Sequence, residues 1–211
     1  MLDNQRIKTK TPPTFALLAF STLFAIPAMA GNQVANTVSI SNHDAFFNSI
    51  KQHCGKAYSG KVTVDNAKSD GFSNKPLIMH VRKCEENQLQ IPFHVGDDAS
   101  RTWLITKTGS GLSLKHDHRH KDGSSDISTM YGGHTVDAGW AQVQSFPADQ
   151  YSKELFVQQG IPQSIGNTWQ MFIYPKQFTY RLIRQGREFR VDFDLTTPIT
   201  PPAAPWGYEQ K

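Results

Sequence analysis

Three histidines at every second position, His116, His118 and His120, follow Leu112 and Leu114 in the run LSLKHDHRH. Side chains alternate faces along a β-strand, so in an extended run the two leucines and the three imidazoles share one face. With the leucines in a core, the imidazoles form a row toward the end where a barrel or sandwich opens to solvent, a place suited to a ligand. Alternate strand residues stand roughly 6–7 Å apart, so His116 with His118, or His118 with His120, reach one metal ion, whereas all three together do not easily. A complete metal site needs one more ligand. His134, after Gly132-Gly133, completes a candidate set of His116, His118 and His134, with His80 and His94 as the other candidates. Zinc and copper(II) both accept imidazole, and Asp117 or Asp122 would orient a ligand from behind. The competing reading is a solvated strand end with hydrogen-bonded histidines, because His-x-His alone is a weak motif.

Catalytic constellations are sparse. The hydrolytic pattern His-x-His-x-Asp-His breaks at Arg119 and His120, no Gly-x-Ser-x-Gly occurs, and Gly109-Ser110-Gly111 reads as a hairpin tip. Asp192 and Asp194 alternate with Arg190 on the outward face of a strand, where cross-strand pairing with Arg181 or its neighbours is the ordinary role. The balance leans away from an enzyme. Trp103, Trp140 and Trp169 fall in separate expected strands and, with Phe93, Phe172 and Tyr180, either line a cavity or fill a core.

The elements that position these residues begin with a leader. Arg6, Lys8 and Lys10 precede an apolar run from Phe15 to Ile26, and Ala28-Met29-Ala30 precedes Gly31. This is the pattern of a secretory signal over 1–30, and the run is shorter than the roughly 20 residues that span a bilayer. No later segment is apolar enough to span one. The formal charge of +4 includes Arg6, Lys8, Lys10 and Asp3, a net +2, so the exported chain carries +2. With no dense basic run and no recognised motif, nucleic acid is set aside as a partner. The signal implies export, with the protein secreted into the periplasm. Cys54 and Cys84, the two cysteines, are in that setting most simply a disulfide closing a loop of about 30 residues.

After a linker over 31–40, Ser41 to His53 carries Phe46, Phe47 and Ile50 at helical spacing, with Ser41 and Asp44 as a capping pair and Gly55 as a stop. Ten short strands are expected thereafter: 57–64, 77–83, 89–95, 102–108, 112–120, 128–136, 140–146, 169–174, 178–184 and 188–195. A second helix is inserted over 147–159. The segment 198–211 holds four of the 12 prolines and reads as an extended, loosely held tail in which Trp206 either folds back or docks on a partner. A single antiparallel meander of ten strands removes its edges most completely by closing on itself, so the domain over 41–197 is expected to be a mainly β barrel with an N-terminal helix.

In strand order from Lys56 to Leu195, with an N-terminal helix, the opening strand Gly-Lys-Ala-Tyr-Ser-Gly-Lys-Val and a run of hairpins, the chain resembles the lipocalin-like, or calycin, group. The group's Gly-x-Trp opening is absent, Ala57 or Tyr58 standing in its place. Separately, Lys-His-Asp-His-Arg-His-Lys-Asp-Gly-Ser and Met-Tyr-Gly-Gly resemble stretches of uncharacterised secreted bacterial proteins, which implies no activity. The resemblance to lipocalins implies a barrel that binds a small apolar or amphipathic molecule; the candidate ligand contacts, read from the strand pattern and not from the resemblance, are His116, His118 and His120 at its mouth with Trp103, Trp140 and Trp169. The alternatives are a metal-dependent enzyme or metal-binding protein and a structural envelope domain with a filled barrel.

Overall fold

The computed structural model describes residues 41–67, 71–72 and 74–208. The expected signal and linker lie outside the described residues. Helix α1, Asn42–Lys51, starts where Ser41 caps the Asp44 amide at 3.1 Å, and it buries Phe46, Phe47 and Ile50. The strands are β1 (Ala57–Asp65), β2 (Leu77–His80), β3 (Lys83–Cys84), β4 (Gln88–Val95), β5 (Asp98–Lys107), β6 (Leu112–His118), β7 (Tyr131–His134), β8 (Val143–Pro147), β9 (Thr168–Tyr174), β10 (Gln177–Arg184) and β11 (Arg187–Asp194). Helix α2, Gln150–Gln158, and a 3-10 helix, Pro162–Gly166, sit between β8 and β9.

Ten strands form one antiparallel sheet in the order β7-β6-β5-β4-β2-β1-β11-β10-β9-β8, with β3 attached to β4. The first and last strands pair from Gly60 to Asp65, Val62 opposite Val191, with a bulge between Val62 and Val64. The meander is thus nearly closed as a barrel, and its seam falls mid-chain between β7 and β8. One bridge, Gly133 with Ala148, crosses that seam. A side-chain carbon on Gly133 would lie 1.9 Å from the Pro147 carbonyl oxygen, and one on Gly132 1.9 Å from that of Leu114, so closure there requires glycine. Ser152 of α2 ties the seam, donating to the Gly132 carbonyl at 2.8 Å and accepting from its amide at 2.7 Å.

Alternate residues of each strand point inward, among them Leu89, Ile91 and Phe93 of β4, Trp103 and Ile105 of β5, Leu112 and Leu114 of β6, and Val191 and Phe193 of β11, all buried. Helix α1 seals one end. Lys107 at the end of β5 pairs with Asp44 at 2.5 Å, and Asn42 donates to the Gly139 carbonyl at 2.8 Å. The Cys54–Cys84 disulfide joins the turn after α1 to β3. No helix among the described residues is long and apolar enough to cross a membrane.

Several boundaries depart from the sequence reading. The strand expected over 77–83 is divided: Val81 still donates to Lys56, next in register with β1, whereas Arg82 donates to Gln90 of β4, and β3, paired with β4, places Cys84 against Cys54. The strand expected over 112–120 stops at His118, because Gly123 takes a positive φ of 86° in the turn that pairs Arg119 with Ser125. The strand expected from Trp140 starts at Val143, since Trp140 lies in the tight turn before it. The tail is not loosely held. Trp206 folds back, its amide donating to the Ala99 carbonyl at 3.1 Å, and Arg82 donates to the Tyr208 carbonyl at 2.9 Å. Pro205 is buried.

Candidate functional site

At the end away from α1 the inward rows change character. On β6 the row Leu112, Leu114 continues into His116 and His118; on β5, Ile105 and Trp103 give way to Arg101, which is registered opposite His118. On β11, Val191 and Phe189 give way to Arg187. The strands therefore deliver two guanidiniums and an imidazole to the rim of a recess of about 340 Å³. Its floor is aromatic. Trp103 stacks on Tyr180 with centroids 4.6 Å apart and on Phe93 at 4.9 Å, and Trp169 closes the wall beside His116 at 5.2 Å. Phe156 of α2 and Ile161 of the following turn complete the side toward the seam.

His116 is 2 % exposed and hydrogen-bonded through both ring nitrogens, Nδ1 with the Tyr131 carbonyl at 3.2 Å and Nε2 with the Tyr180 hydroxyl at 2.9 Å. Burial, reinforced by His118, drives its pKa down to about 3, so the ring is neutral at ordinary pH. His118 sits at the rim with Nε2 3.3 Å from the Tyr131 hydroxyl, and its pKa is lowered by burial and then by the Arg101 charge. Burial raises the Tyr131 phenol to about 12 and the Tyr180 phenol well above its ordinary value, which keeps both as neutral hydroxyls. Asn167 adds a polar group to the wall: its Oδ1 is buried and has no hydrogen-bond partner among the described residues. Such an acceptor costs roughly 1–3 kcal/mol unless something donates to it.

Of the residues singled out in the sequence, His116, His118, Trp103 and Trp169 meet in this recess. His120 does not. It lies beyond the end of β6, more than half exposed, with Asp126 at 3.7 Å. Trp140 is 72 % exposed and outside the recess. The set His116, His118 and His134 is split by the barrel wall: His134 shares the outward parity of its partner Ser113 and faces Asp149 at 3.6 Å. Among the described residues no three His, Cys, Asp or Glu side chains gather as a metal site, and both nitrogens of His116 are already engaged. His80 and His94 each have a buried ring nitrogen with no partner among the described residues, but they lie on the outward parity of β2 and β4.

Asp117 faces outward and is buried by the tail, accepting from Arg119 at 2.8 Å, from Thr129 at 3.1 Å and from the Tyr208 hydroxyl. It anchors the tail instead of orienting a metal ligand. Asp122 caps the Ser124 turn. Asp192 accepts from Thr63 and Thr179 on the neighbouring strands and from Arg190 on its own, Asp194 caps the turn at Thr196, and Arg181 pairs with Glu188, so the expected pairing of these aspartates with Arg181 is not the one made. The sequence reading missed Arg101, Arg187, Tyr131 and Asn167. Parity alone places Arg101 with Trp103 and Arg187 with Phe189, a signal available without the structure; Asn167 follows a 3-10 turn with no such periodicity.

No protein family, curated protein or solved structure matches the chain.

Proposed function

We propose that this protein is an exported, lipocalin-like barrel that binds a small amphipathic molecule in the recess beside His118. The observation that carries this reading is a recess of about 340 Å³, opening on the His118 side of a barrel whose other end is filled. Ligand sites are typically concave and mostly apolar with a few placed polar groups, and volumes from about 300 Å³ are usual for them. The aromatic floor supplies the apolar surface; His118, the Tyr131 hydroxyl and Asn167 supply polar contacts. The disulfide favours an oxidising compartment and so supports export to the periplasm.

The test uses a neutral probe, N-phenyl-1-naphthylamine, whose emission rises in an apolar site. The expected result is saturable, one-to-one enhancement that Leu182→Trp, filling the recess from its half-buried wall, abolishes while the fold is retained by circular dichroism. Absence of saturable binding, or binding unaffected by Leu182→Trp, refutes the reading.

A further inference from the structure

Both arginines at the rim are held in the same manner. Arg101 donates from Nη1 to Asp98 at 2.5 Å. Arg187 donates from Nη1 to Asp65 at 2.5 Å, to Asn66 at 3.3 Å and to the Glu188 carbonyl at 2.6 Å. In each case the hydrogen bonds come from one terminal nitrogen, so the Nε–Nη2 edge has no acceptor among the described residues. That edge is the fork that matches a carboxylate bidentately. The two guanidiniums are joined across the rim by apolar rings: Arg101 lies 5.7 Å from the Phe72 centroid, Phe72 is 4.7 Å from Phe189, and Arg187 lies 5.6 Å from Phe189. Both guanidiniums thus lie within cation–π range of a ring, an attraction to the ring face that does not use their N–H groups.

From this geometry we infer that the recess selects carboxylic acids with an apolar body, the body on the Trp103–Tyr180 floor and the carboxylate on the free edges of Arg101 and Arg187. The inference rests on the binding reading above and adds the headgroup to it. The acids near the rim, Asp98, Asp65 and Asp126, set the opposing condition. Asp98 and Asp65 occupy the Nη1 side of their arginines and Asp126 faces His120, so a ligand carboxylate meets the guanidiniums on their other edge. His118 contributes a neutral ring at ordinary pH and no competing charge. Arg101 and Arg187 are each about three-quarters or more buried at the side chain, which shields the pairing from salt more than at an open surface.

Isothermal titration with two matched pairs tests the headgroup: 2-naphthoate against 2-naphthamide, and dodecanoate against dodecanamide. The wild type is expected to prefer each acid over its amide by at least about tenfold, a difference of about 1.4 kcal/mol. The pair separates an aromatic from an aliphatic body by which acid binds more tightly. Arg101→Lys retains charge but lacks the fork and should cost about tenfold for the acids with little change for the amides; Arg187→Lys should do the same. Equal affinity for acid and amide in the wild type overturns the headgroup inference while leaving the cavity reading intact. Acid preference that survives Arg101→Lys with Arg187→Lys also overturns it. If neither acids nor amides bind and the neutral naphthylamine probe fails as well, the binding reading itself falls.

Discussion

The two ends of the barrel are built from the same strands and differ in what those strands carry inward. At the sealed end Ile105, Leu112 and Leu114 belong to the same buried cluster as Phe46, Phe47 and Ile50 of α1, all fully or almost fully buried. At the open end the same rows of β5 and β6 present Arg101, His116 and His118, and among the described residues no helix covers them as α1 covers the other end. An apolar row closes by burying itself against a helix, whereas rows ending in guanidinium groups keep a recess, because complete burial of a charge is costly even when it is paired, as Arg101 and Arg187 are. On the proposed reading, stability and recognition fall at opposite ends of one continuous sheet.

The sharpest way to break this contrast is Phe46→Ala at the sealed end. Loss of a fully buried ring should cost about 3–5 kcal/mol, read as a shift in the denaturation midpoint, with ligand affinity of the remaining folded protein unchanged. A cost under about 1 kcal/mol would mean that α1 is not part of the core. Removing the disulfide with Cys54→Ser and Cys84→Ser should cost about 2–5 kcal/mol in denaturant, again without altering the recess. Alkylation of both cysteines in the native, unreduced protein would contradict the bond itself.

At the boundary between the ends, His116 predicts a pH effect. Its folded pKa of about 3 lies below the ordinary 6.5, so below pH 6.5 the unfolded chain takes a proton that the folded chain refuses. The stability this neutral ring contributes is complete above pH 6.5 and falls by about 1 kcal/mol per pH unit as pH drops toward 3. His116→Gln should flatten the stability profile across that window relative to wild type; parallel profiles would show that the ring is protonated in the folded state. The smallest stability effect belongs to the rim. His118→Ala should change stability by less than about 1 kcal/mol yet weaken binding of the neutral naphthylamine probe severalfold, whereas Lys115→Ala, on the outer face and paired with Asp149, should leave binding unchanged. Equal effects of the two substitutions on binding would remove His118 from the site.

Much of this architecture was legible because β-structure writes its inside and outside at every second residue. Leu112, Leu114, His116 and His118 follow that rule, as do the rows of β10 and β11, and the meander of ten strands with two helices follows from the strand pattern and its turns. His120 broke the rule because Gly123 ends the strand two residues early, and Trp140 because it occupies the turn ahead of β8. The amino-acid sequence by itself determined the parity of each strand, the cysteine pair and the helix that closes one end, all consequences of local periodicity and composition. Only the tertiary structure decided which rows face one another: that His116 is locked between Tyr131 and Tyr180, that His134 lies across the wall, that Arg101 and Arg187 share a rim, and that the proline-rich tail is pinned on Asp117. Those facts depend on register and closure between strands far apart in the chain, which local side-chain preference does not encode.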